Sequence, residues 1–202
     1  VKLCNDGGTG VANGTVIKIK NSEITATDEN GDPSCAFNNA SETGEIIVDE
    51  DCEVVGNTLE QIAALYYKNS DQFYSVYSLS DAITEVVSRK ADGIRLTRDI
   101  ELDAPVTIAK DANVVIDLNG KTISMQKADA DNRGMIINYG ELTVIGGGML
   151  AFDKHGDNDC TICVENGKLT VAGGTYGAKI VGIDAGKLSI VITGGVFTEE
   201  AK

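Results

Sequence analysis

The sequence predicts a mainly β protein, with a short parallel β-helix capped by a helix and preceded by a small antiparallel β-module and a short amphipathic helix. Three observations predict it. One phrase recurs in the last third of the chain: Gly140-Glu-Leu-Thr-Val-Ile-Gly146-Gly147, Gly167-Lys-Leu-Thr-Val-Ala-Gly173-Gly174 and Gly186-Lys-Leu-Ser-Ile-Val-Ile-Thr-Gly194-Gly195. The starts lie 27 and 19 residues apart, near the length of a solenoid rung and too long for a tight hairpin. In such a coil each strand pairs with the strand one rung away, and glycine allows corners with positive φ. The second observation is composition: 23 Gly, 2 Pro and no Trp among 202 residues, with apolar runs dominated by Val and Ile, suit strands better than a helical bundle. The third is that helix signals are confined to two short stretches ahead of the repeats.

Taken in order, residues 1–56 read as short strands around Val16-Ile-Lys-Ile-Lys20, Glu23-Ile-Thr-Ala-Thr27, Glu45-Ile-Ile-Val48 and Glu53-Val-Val55, with Asp28-Glu-Asn-Gly-Asp-Pro33 as hairpin or loop chemistry. A small antiparallel module follows from that reading, and at its size it is marginal alone. Residues 57–77 read as an amphipathic helix and a linker. Asn57 and Glu60 approximate a capping box, and Leu59, Ile62, Leu65 and Tyr66 fall on one helical stripe. A three-turn helix is unstable in water by itself, so this stripe must pack on its own chain or on the same helix of neighbouring subunits; in the second case it is the candidate oligomer interface. Residues 78–202 are the coil. A helix from Ser80 to Lys90, with Ser80 as its cap and Ile83, Val86 and Val87 as its apolar face, precedes the first rung and is placed to cover its open end.

Charge and cysteine content exclude several function classes. The formal net charge is −14, and residues 1–56 hold 11 acidic against 3 basic side chains. Such a surface repels phosphate backbones and anionic lipid, so neither nucleic acid nor membrane is an expected partner. No apolar run approaches the ~20 residues of a membrane span. The start of the chain turns polar within a few residues and shows no signal sequence. Five cysteines (Cys4, Cys35, Cys52, Cys160, Cys163) leave at least one without an intramolecular partner, which fits assembly in a reducing compartment.

Ser-Leu-Ser-Asp-Ala-Ile (78–83), then a strand, then Ile-Asp-Leu-Asn-Gly-Lys-Thr-Ile (116–123) resembles the opening of right-handed parallel β-helix proteins of the pectate-lyase-like fold. The resemblance covers about residues 78–197. It implies a helix-capped coil in which the Asp-Leu-Asn-Gly turn starts a rung, and it is shared by enzymes, tailspikes, adhesins and inert fibres, so it does not settle function. The layout of base, helix, linker and brief coil is similar to head-fibre and decoration proteins of tailed phages. That similarity implies a homotrimer on the virion surface, assembled in the host cytoplasm, whose base grips a capsid protein and whose outward β-helix touches host-surface glycans. The alternatives are an adhesin module of a bacterial cell surface and a polysaccharide lyase or hydrolase.

No catalytic site, metal ion or cofactor is assigned. Cys160-Thr-Ile-Cys163 has the spacing of half a zinc site, but no second pair or histidine set accompanies it, and positions i and i+3 of a strand face opposite ways. His155, the only histidine, sits in a polar inter-rung loop with no Gly-x-Ser-x-Gly elbow anywhere. Asp28, Asn30 and Asp32 begin like a calcium loop, but Pro33 stands where glycine belongs and Asn39 where the bidentate glutamate belongs. Asp129, Asp131 and Asn132, and Asp157 with Asp159, have the oxygen ligands to hold calcium, and turn chemistry explains them as well. Asp117, Arg133, Lys154 and Asp157, the groups a glycan-cleaving site would draw on, are scattered in sequence.

Overall fold

The computed structural model describes residues 16–20, 22–25, 35–39, 45–48, 53–55, 57–68, 70–126, 134–152, 160–183 and 188–198. The chain divides into two units, Val1–Gln61 and Ile62–Lys202.

The first unit contains β1 (Val16–Ile19), β2 (Glu23–Thr25), β3 (Cys35–Asn39), β4 (Glu45–Val48), β5 (Glu53–Val55) and β6 (Asn57–Glu60). The expected antiparallel module is not what forms. β1 pairs with β4, β2 with β5 and β3 with β6, each pair parallel. Turn residues dictate that a chain bends but not which strand it then meets. The Asn, Asp and Gly clusters between strands serve rung corners as readily as hairpins.

In the second unit β7 (Ala63–Tyr67), β8 (Ser70–Val76), α1 (Leu79–Ser88) and β9 (Gly93–Leu96) come first. Rungs follow in threes: β10 (Ile100–Leu102), β11 (Val106–Ile108) and β12 (Asn113–Asp117), then β13 (Lys121–Met125), β14 (Gly134–Asn138) and β15 (Glu141–Ile145). Next come β16 (Gly148–Phe152), β17 (Cys160–Glu165) and β18 (Lys168–Val171), then β19 (Thr175–Tyr176), β20 (Lys179–Ile183), β21 (Ser189–Ile192) and β22 (Val196–Phe197). Each strand from β9 to β19 pairs parallel with the strand three later, which gives sheets of order β10-β13-β16-β19-β22, β11-β14-β17-β20 and β21-β18-β15-β12-β9-β7-β8. This is a β-helix-like arrangement, as the repeats implied.

Its interior is built from register. Ile94, Ile116, Val144 and Val171 occupy one inward row, and Ile100, Ile123, Leu150 and Tyr176 another. All eight are at most 8% exposed, and each such side chain contributes roughly 1.5–3 kcal/mol by leaving water. Among the described residues two buried polar side chains cross the rungs, Thr161, whose hydroxyl donates to the Ala178 carbonyl at 3.3 Å, and Asn138. Asn138 Nδ2 donates to the Lys168 carbonyl at 2.8 Å, and Asn138 Oδ1 accepts from the Gly140 amide at 3.1 Å.

The glycines of the repeat answer to close approach. A Cβ on Gly140 would lie 2.2 Å from the Ala109 carbonyl oxygen, and one on Gly173 would lie 2.4 Å from that of Gly146. The Asp-Leu-Asn-Gly turn forms the corner between β12 and β13. There Asn119 (φ 49°) donates its amide to Asp117 Oδ1 at 3.0 Å and its Nδ2 to the Leu96 carbonyl at 2.9 Å, and Gly120 (φ 76°) follows.

α1 buries Leu79, Ala82, Ile83 and Val86 against β7, β9, β11 and β12, covering the start of the coil as expected. Its cap is Ser78, whose side chain accepts from the Asp81 amide at 3.0 Å, rather than Ser80. Ser78 with Asp81 three residues on gives an acidic first turn that Ser80 with Ile83 does not.

Residues 57–68, expected as an amphipathic helix, form β6 and β7 and no helix. β7 lies between β8 and β9 and is antiparallel to both. The strand splits the helical stripe: Leu65 points inward with Ala63, whereas its neighbour Tyr66 points outward. Hydrogen bonding on both edges outweighs the weak propensity of a helix this short.

Candidate functional surfaces

The outward face of the sheet containing β7, β9 and β12 carries a polar cluster. Gly93 leaves room for the Tyr66 ring: a Cβ there would lie 2.6 Å from the phenol oxygen. Arg95 holds Asp117 through Nε–Oδ2 at 3.0 Å, and its guanidinium lies 5.3 Å from the Tyr66 ring centre. Burial, then the Asp117 charge, push the Tyr66 phenol above its ordinary value, and Arg95 opposes them. With Arg95 42% exposed, the ion pair is worth at most ~1 kcal/mol. Further along the same face Lys168 pairs with Glu141 across adjacent rungs.

A second group lies on the sheet of β14 and β17. Cys163 is fully buried, and its sulfur is 3.9 Å from Glu165 Oε1. Tyr139 is raised from its usual phenol range by partial desolvation, then by its hydrogen bond to Glu165. A reactive thiolate needs positive surroundings and access, and a carboxylate beside a buried sulfur supplies the reverse. Cys160 is also fully buried. A bulge between Cys160 and Ile162 changes the register against β20, and both cysteines lie near Gly134, whose Cβ would be 3.2 Å from Cys160 Sγ and 3.0 Å from Cys163 Cβ. The alternating-face argument from sequence did not allow for that bulge.

The third surface is the end of the coil at β20, β21 and β22. Each pairs on one side only among the described residues. Ile192 (53% exposed) and Phe197 (44%) continue the inward rows of Val171 and Tyr176, and Val191 and Val196 are exposed beside them. Phe197 stacks on Tyr176 with centroids 5.0 Å apart, and an open, mainly apolar cavity of about 260 Å³ lies between Tyr176, Ala178, Lys179, Ile180, Ile192 and Phe197. Tyr176 itself is fully buried, with its hydroxyl donating to the Gly173 carbonyl at 3.1 Å.

Burial raises the Tyr176 pKa well above its ordinary value. The folded state therefore keeps a proton that the unfolded chain releases near pH 10. Stability from this group is complete below that pH and falls as pH rises above it. Thermal melts in alkaline buffers should show a steepening loss of stability from about pH 10, and Tyr176→Phe should flatten it; an unchanged slope in Tyr176→Phe counts against this assignment.

Of the proposed interface residues, Leu65 is fully buried in the core of its own unit, Ile62 packs partly against that core, and Tyr66 is half-buried in the polar cluster. The Leu59 side chain lies outside the described residues. So do Cys4, Cys52, Asp28, Asn30, Asp32, Pro33, Asp129, Asp131, Asn132, Arg133, Lys154, His155, Asp157 and Asp159. Among the described residues no three His, Cys, Asp or Glu side chains converge as metal ligands, and no helix is long and apolar enough to cross a membrane. Asp117 serves the corner and the ion pair with Arg95. The open end was missed in sequence, although its signal was present as Ser189-Ile-Val-Ile192 and Val196-Phe197. Compared with protein-family models, curated proteins and solved structures, the chain matches none.

Proposed function

We propose that the protein is a non-enzymatic structural protein of the virion-surface type, a head-fibre or decoration protein whose outward part is the right-handed coil of the second unit. The observation that supports this reading is the coil itself: an interior filled in register from rung to rung and closed by α1 at the start. Such a body transmits position along its axis and offers its flat faces for contact. Right-handed crossovers are the near-universal outcome for parallel strands. The base is the acidic first unit, which grips the capsid; host-surface glycans would meet the outer faces of the coil. A trimer drawn together by a helical stripe loses its carrier, since residues 57–60 and 63–67 are strands and Leu65 is spent inside its own unit.

Antiserum raised against the protein should label the surface of purified particles from its source. Label confined to a cell envelope would favour the adhesin reading instead and overturn this one. A screen of neutral and anionic polysaccharides, with and without calcium, should show no turnover; reproducible cleavage would replace the structural reading with a catalytic one.

A further inference from the structure

We draw no further inference here: the strongest candidate, the Tyr66, Arg95 and Asp117 side-chain cluster on the outward face of β7, β9 and β12, spends its charges on its own ion pair and on the Asn119 corner amide, and nothing in the structure shows what covers it.

Discussion

Leu65→Ala is expected to destabilise the second unit by about 2–5 kcal/mol. Leu65 is fully buried on β7, inward beside Ala63 and in register with Ile94 of β9. Its neighbours are held by ladder hydrogen bonds on both edges of β7, so the strand cannot collapse into the space left by the lost atoms. The cost is that of transfer plus an unfilled cavity. Urea or thermal unfolding reads it directly. A change under ~0.5 kcal/mol would place Leu65 on an exposed face. A change in solution mass without loss of stability would return it to an intersubunit stripe.

Gly140→Ala is the second large effect. Its added Cβ would lie 2.2 Å from the Ala109 oxygen and 2.5 Å from that of Ala112. Both are backbone atoms and cannot swing aside. The corner is also pinned from its other side, since the Lys168 amide donates to the Gly140 carbonyl at 2.8 Å and the Gly140 amide donates to Asn138. Overpacking typically costs about 1–3 kcal/mol, and this site belongs at the upper end. Gly147→Ala is the control: it belongs to the same repeat, yet its Cβ would meet nothing within 4 Å, and a change within about 0.5 kcal/mol is expected. Equal losses at the two positions would mean that the repeat needs glycine for reasons other than stacked corners.

The contrast shows what was legible in the residues. Glycine spacing revealed rungs because a corner under a stacked backbone admits no Cβ, and that constraint repeats wherever the rung repeats. α1 and the Asp117–Gly120 corner were readable for a similar reason, since caps and positive-φ turns depend on a few local residues. Pairing partners were not readable. Nothing local to Val16–Ile19 distinguishes Glu45–Val48 as a parallel partner from the nearer Glu23–Thr25 as an antiparallel one. Residues 57–67 carried a helical period, and the strands on either edge of β7 overrode it. The candidate surfaces were legible only as composition. Tyr66, Arg95 and Asp117 come from three separate strands, and whether Phe197 is core or surface depends on what lies over it.

The central claim is the three-sheet register, including the strand character of β7. Backbone nuclear Overhauser contacts in isotope-labelled protein test it most directly. The account predicts cross-strand contacts between Leu65 and Ile94, and parallel contacts linking Thr143 to Thr170 and Thr170 to Val191. Sequential amide–amide contacts running through residues 57–67, with the Leu65–Ile94 contact absent, would contradict it.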